Sequence, residues 1–183
     1  DGVEVSGGGG FADGYDEYNA SGIWGINGED SNVTLVLDYF RNSTLKNSER
    51  GSLGTADQSS RGGEDFRSSR GFPGRFIVDG VTTIDPACPP DRTAGQTCVY
   101  DYGPWNLLTP EAERTGLMLL GNKRFGDVEF FTEIAAQHNT SIAQGAPTPL
   151  DESAGLTVPV THPNSPFPGA TSLEIGRFRT VDA

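Results

Sequence analysis

The sequence has no long apolar run. Its longest near-apolar stretch is residues 116–121 (GLMLLG), whereas a membrane-spanning helix needs about 20 apolar residues. A helical transmembrane protein is therefore excluded. A membrane β-barrel is untouched by this, because barrel strands carry only a weak hydropathy signal. Positive charge is also scarce: 13 Lys and Arg face 25 Asp and Glu, for a net charge of −12. Such a chain repels phosphate backbones, so nucleic-acid binding is excluded as a main function. Hydrophobic residues make up only 34% of the 183 positions, and 25 positions are glycine. Each interior glycine costs a helix about 1 kcal/mol relative to alanine, which argues against a helical bundle.

Catalytic patterns are missing too. There is no GxSxG and no HExxH, and neither His138 nor His162 has a partner at a useful spacing. The glycine run at 7–10 is not followed by GKS or GKT, so it is no phosphate loop. Asp13, Asp16 and Glu17 cluster carboxylates, but the calcium-loop pattern DxDxDG is absent and a solvated acidic loop fits better. The expectation is a protein that is not an enzyme, with no metal site and no cofactor. The two cysteines, Cys88 and Cys98, sit in ACPPDRTAGQTC. Their spacing is not CxxC and no other soft ligand is near, so a disulfide stapling a Pro/Gly-rich loop is expected, in an oxidising compartment.

What the sequence does have is alternation. Residues 32–41 (NVTLVLDYFR) place Val33, Leu35, Leu37 and Tyr39 on one face. Residues 18–27 (YNASGIWGIN) place Tyr18, Ala20, Gly22, Trp24 and Ile26 on one face and Asn19, Ser21 and Asn27 on the other. Residues 128–139 do the same with Val128, Phe130, Thr132, Ile134 and Ala136 against Glu129, Glu133 and Gln137, with Phe131 among the latter. Further strands are expected near 2–10, 114–122 and 172–181. Between them lie two long stretches without sustained period, 42–111 and 140–171. Loops of that length usually carry function or disorder.

Antiparallel neighbours alternate direction, so successive connections alternate ends. Numbering six strands in order puts the connections at 11–17, 42–111 and 140–171 at one end. The short ones at 28–31 and 123–127 fall at the other. Short turns at one end and long loops at the other are the pattern of outer-membrane barrels. Strands of about 9–11 residues cross a bilayer at a tilt. Aromatics lie near strand ends, with Trp24 and Phe125 on the short-turn side and Tyr15, Tyr18 and Tyr39 on the long-loop side. The fold class expected is all-β, with antiparallel strands and long external loops, forming part of a transmembrane β-barrel. Both ends of the chain, DGVEV and TSLEIGRFRTVDA, read as strands, so residues 1–183 are expected to be a single segment of a longer barrel domain.

The order of these pieces resembles the early barrel region of a TonB-dependent outer-membrane receptor. The opening DGVEVSGGGGFADGYDEYNASGIWGI is similar to the first barrel strands after the plug domain. NVTLVLDYFRN, followed by a loop ending in DFRSSRGFPGRF, is similar to the next strand and its external loop. The most specific part is NLLTPEAER, then the hairpin with VEFFTE, then APTP; HPNSPFPG follows. The resemblance covers essentially the whole chain. It implies a receptor in the bacterial outer membrane that imports a scarce ligand: an iron-siderophore, cobalamin, haem or an oligosaccharide. The implied partners are the rest of its own barrel and plug domain, the TonB system reached through the N-terminal part, outer-membrane lipid, and a small-molecule or glycan ligand.

Within 42–111 lies a mixed set of arginines and acids. In a ligand-capturing reading, Arg67, Arg70 and Arg75 pair anionic groups while Phe72, Tyr100, Tyr102 and Trp105 stack on the ligand. In the alternative, the loop is solvated and the arginines are held by internal salt bridges. Asp91 and Arg92 belong to the same mixed set. The rival reading of the whole chain is a secreted calcium- or carbohydrate-binding β-sandwich stapled by Cys88 and Cys98.

Overall fold

The structure, a computed structural model, describes residues 1–180. It contains the strands β1 (Gly2–Ala12), β2 (Tyr15–Asn27), β3 (Ser31–Asn42), β4 (Leu45–Lys46), β5 (Arg75–Val78), β6 (Val81–Ile84) and β7 (Thr93–Ala94). They are followed by β8 (Thr97–Cys98), β9 (Leu107–Thr109), β10 (Glu111–Phe125), β11 (Val128–Ile142), β12 (Pro149–Asp151) and β13 (Leu173–Arg179). All pairings between these strands are antiparallel, so the chain is all-β. It divides into two compact units, residues 1–46 with 107–144 and residues 47–106 with the stretch from Gly145 onward.

The first unit is built on a five-stranded sheet in the order β1-β2-β3-β10-β11. Its registers run without a bulge, and they place like with like. Leu35 faces Trp24 on one side and Leu119 on the other, and Leu119 faces Ile134. Directly opposed residues project to the same side. One face therefore carries Val3, Val5, Trp24, Ile26, Val33, Leu35, Leu37, Leu117, Leu119, Val128, Phe130 and Ile134. The other carries Glu4, Ser6, Glu17, Asn19, Ser21, Thr34, Asp38, Arg114, Glu133 and Gln137, with Ile23, Val36, Phe40, Met118, Leu120 and Phe131 as apolar exceptions. A one-residue slip would exchange the faces, which is why the register is well specified. Asn42 and Gly116 are the only buried residues among those described in this unit.

The turns are tighter than the sequence suggests. FADGYDE is no loop: Phe11 pairs with Asp16 and Ala12 with Tyr15, which leaves Asp13-Gly14 as the turn, with Gly14 at φ 72°. KRFGD shrinks likewise to Gly126-Asp127. The unequal loop lengths therefore rest on one connection, residues 43–110, between β3 and β10. Tyr15 pairs with Ala12 and so lies on the polar face, where its hydroxyl donates to Glu17 Oε2 at 2.9 Å. It does not join Tyr18 and Tyr39.

The second unit holds a four-stranded sheet, β12-β13-β5-β6. The expected strand at 172–181 is found here as β13, between β5 and β12 and not beside β11; residue 181 lies outside the described residues. The long stretches are thus not plain loops: they pair with each other across the sequence. The turn between β5 and β6 is Asp79-Gly80, with φ of 50° and 81°, the two positive values that a tight hairpin of the right twist requires. Asp79 Oδ1 then accepts from Thr171 N, Thr171 Oγ1 and Ser172 N at 2.7–2.8 Å, which ties β6's turn to the start of β13. The core of this unit is Ala56, Phe76, Cys98, Val99, Tyr100 and Leu173. Cys88 and Cys98 are disulfide-bonded. Gly71 packs so closely on β8 that a Cβ there would stand 1.8 Å from the Cys98 carbonyl oxygen.

Candidate functional site

Two features of the molecule carry chemistry. The first is the apolar face of the long sheet. Among the described residues nothing covers it: Val5 is 78% exposed, Phe130 61% and Ile134 52%. Aromatic rings mark its two ends, but Trp24, expected at the short-turn end, stands opposite Leu35 between them. Phe11 packs edge-on against Tyr18 at 5.6 Å, and Tyr18 stands opposite Gly9, covering a position that has no side chain. Tyr39 lies beside them, diagonal to Tyr18. At the other end Phe125 packs edge-on against Phe130 at 5.9 Å, with the Lys123 ammonium 5.6 Å from the Phe125 ring. The Tyr39 row and the Phe130 row, which aligns with Ser31, are eight residues apart along the strands. At about 3.4 Å per residue this is roughly 27 Å.

The second feature is a polar cleft of about 370 Å³ in the second unit. Three of the sequence-predicted ligand residues, Arg67, Tyr100 and Trp105, line it. Arg67 is held from two sides. Its Nε and Nη2 donate to the Asp65 carboxylate at 2.9–3.1 Å, Nη1 donates to the Asp91 carbonyl at 3.0 Å, and Asp57 lies 3.6 Å away. The hydrogen bonds that Arg67 donates to Asp65 raise the Arg67 pKa and lower that of Asp65. Tyr100 is buried, and burial pushes its phenol pKa up. Trp105 sits at the end of a short 3-10 helix, Gly103–Trp105, and is 41% exposed. That helix is fixed by Asp101, whose carboxylate accepts from Thr55 Oγ1, Ala56 N and Gly103 N. Gly103 is pressed against the 54–56 backbone: a Cβ would lie 2.4 Å from the Gly54 carbonyl oxygen.

The other predicted residues lie elsewhere. Arg70 pairs with Asp151 at 2.5 Å and Arg75 with Glu152 at 2.5 Å. Phe72 packs edge-on against Phe178 at 5.6 Å and lines a separate apolar cleft of about 450 Å³ with Phe76 and Ile175. Tyr102 immediately precedes the 3-10 helix and is not among the residues lining the polar cleft. Two cleft residues belong to the mixed charged set but were not singled out by the sequence: Asp91, whose carboxylate accepts no hydrogen bond among the described residues, and Arg92, whose guanidinium makes one long bond there, of 3.5 Å, to the Phe72 carbonyl. Asp-Arg directly after Pro89-Pro90 beside a cysteine was the available signal.

Behind the cleft stands Arg179, only 5% exposed. Its guanidinium lies 4.8 Å from the Tyr100 ring centroid and donates to the carbonyls of Arg70 and Pro147 and to Ser68 Oγ. Burial lowers its pKa. One side chain thereby ties the 68–70 segment, residue 147 and β13 to the cleft's buried wall. The acidic set at Asp13, Asp16 and Glu17 does not converge, because Asp16 and Glu17 are successive strand residues on opposite faces. No group of three or more potential metal ligands occurs among the described residues. Among those residues, no helix is long and apolar enough to cross a membrane. Compared with known proteins, the chain matches no family model, no curated protein and no solved structure.

Proposed function

We propose that this chain is part of a transmembrane β-barrel of the bacterial outer membrane, and that it belongs to a TonB-dependent receptor that takes up a scarce ligand. The observation that carries the barrel reading is the uncovered apolar face between two aromatic rows. In water, each large side chain left on that face forgoes about 1.5–3 kcal/mol of burial. In a bilayer the same face is solvated by lipid. A band of roughly 27 Å along strands tilted at about 40° spans roughly 21 Å of height, close to the about 25 Å apolar belt of outer-membrane barrels. The opposite face, with its Glu, Asp, Asn and Ser, suits a wet interior. β1 and β11 are open edges, and edges in lipid must be paired, so further strands of the same barrel are the required partners.

The step from barrel to receptor rests on the sequence resemblance, supported by the second unit, which offers clefts on a folded external module. That module is the ligand-receiving part in this reading, and the plug and TonB system act through the rest of the receptor. A β-sandwich reading requires a second sheet on the apolar face, and Val5 and Phe130 are exposed there.

The test is fractionation and gel mobility of the tagged chain within its own full-length protein. The expected result is recovery in the outer-membrane fraction, extraction only with detergent, and faster migration of unboiled than boiled samples. Recovery in the soluble periplasmic fraction, with no mobility difference on boiling, overturns the reading.

A further inference from the structure

We infer that the polar cleft lined by Arg67, Asp91, Arg92, Tyr100 and Trp105 binds a neutral saccharide. This names the ligand class for the ligand-receiving role proposed above, and rests on that role for the side from which the ligand arrives. The argument starts from which groups in the cleft are already satisfied. Arg67 spends its donors on Asp65 and the Asp91 carbonyl. Asp57 Oδ1 accepts from Ser59 N and Oγ, and Asp101 accepts from three donors of its own walls. What remains for a guest among the described residues is the Asp91 carboxylate, Asp57 Oδ2 with only the 3.6 Å approach of Arg67, the Arg92 guanidinium and the exposed indole of Trp105.

An anion is a poor match to that remainder. It would enter beside Asp57, Asp91 and Asp101, in a chain of net charge −12. A lone cation would meet Asp91 but also Arg67 and Arg92. A neutral polyol uses both signs at once: hydroxyls donate to the Asp91 carboxylate and accept from Arg92, and hydrogen bonds to charged partners are the stronger kind. The C–H face of a sugar ring covers an exposed indole, which buries apolar area while its hydroxyls stay at the rim. The volume of about 370 Å³ lies at the small end of the about 300–1,000 Å³ range of ligand sites. It suits one or two sugar rings. The 3-10 helix that carries Trp105 is pinned by Asp101 and by the close approach of Gly103, so the platform is set before a ligand arrives.

The chain has two tryptophans, so a Trp24→Phe variant leaves Trp105 as sole reporter. The chain is held in a detergent without a sugar headgroup. It is titrated with glucose, galactose, xylose and their short oligomers, and with glycine, inorganic phosphate and catechol as competitors of other classes. The expected result is a saturable change in Trp105 fluorescence with at least one saccharide series. The oligomer should bind more tightly than the monomer, and Asp91→Asn or Arg92→Gln should each weaken binding about tenfold. Both side chains are exposed, and circular dichroism checks that these variants stay folded. Absence of a saturable response to the whole saccharide panel overturns the inference, as does tighter binding of glycine, phosphate or catechol. A chain that binds sugar but fractionates as soluble sinks the receptor reading alone; one that enters the outer membrane yet ignores every sugar sinks this inference alone.

Discussion

Two charged residues of the second unit show how the same sequence signal ends in different roles. Arg179 is buried and meets no carboxylate among the described residues; carbonyls, a hydroxyl and the Tyr100 ring satisfy it. Asp151 is paired at the surface instead. The Ser153 hydroxyl, then Arg70, then the Ser153 amide hold its pKa down to about 2. A carboxylate whose folded pKa is depressed contributes stability above its unfolded value, near 3.9, and loses it as pH falls through the folded value. The second unit should therefore lose thermal stability between about pH 4 and pH 2. Asp57, Asp65 and Asp79 act in the same direction, since their pKa values are lowered by Ser59, Arg67 and Thr171 respectively. Asp151→Asn should flatten part of that acid slope by lowering the melt at neutral pH, with wild type and variant converging towards pH 2. Melting followed by near-ultraviolet circular dichroism across that range checks it, and an unchanged slope in the variant would show that Asp151 does not contribute.

At the scale of the element, the long strands test the lipid reading most directly. Leu35 lies midway between the aromatic rows, and Thr34 is its neighbour on the opposite face. Arginine at the bilayer midplane costs a barrel about 2–4 kcal/mol, while positions lining the wet side tolerate charge. Leu35→Arg should lower stability by about that amount in unfolding titrations from lipid vesicles, and Thr34→Arg should shift it little. Equal effects of the two would mean that both faces meet the same medium. These strands were legible in the sequence because alternation over ten or more residues, broken only at positions such as Val36, Phe40 and Phe131, leaves one reading, and the faces inferred from Val33 to Tyr39 and from Val128 to Ala136 are the faces the sheet uses. The turn at Asp13-Gly14 was not, since the β1–β2 ladder continues through Phe11, Ala12, Tyr15 and Asp16, where polarity no longer alternates. β5, β6 and β12 span three or four residues, too short for a period to register; β13 was expected from 172–181, but its partner β5 lies about a hundred positions away. The cleft was legible only in its residue types. Arg67, Tyr100 and Trp105 come together, but that Arg70 and Arg75 are taken by Asp151 and Glu152 depends on the pairing of β12 with β13.

The whole molecule joins two units that are stabilised by different means. The second unit buries Phe76, Val99, Tyr100, Leu173 and Arg179 and carries the disulfide. The first buries almost nothing and relies on an unbroken ladder of long strands. A core answers to cross-links, whereas an uncovered apolar face answers to the medium beside it. Closing a loop of this size with a disulfide stabilises a fold by about 2–4 kcal/mol, chiefly by restricting the unfolded chain. Reduction of Cys88–Cys98 should therefore lower the melting temperature of the second unit, while dilution of detergent should disturb the first. Each unit has its own reporter, Trp24 in the first and Trp105 in the second. In Trp24→Phe protein, reductant should move the fluorescence melt to lower temperature. In Trp105→Phe protein the remaining indole should respond to detergent and ignore reductant. If both tryptophans instead shift together under either treatment, the units share one cooperative transition, and the long sheet draws its stability from the same core as the rest of the chain.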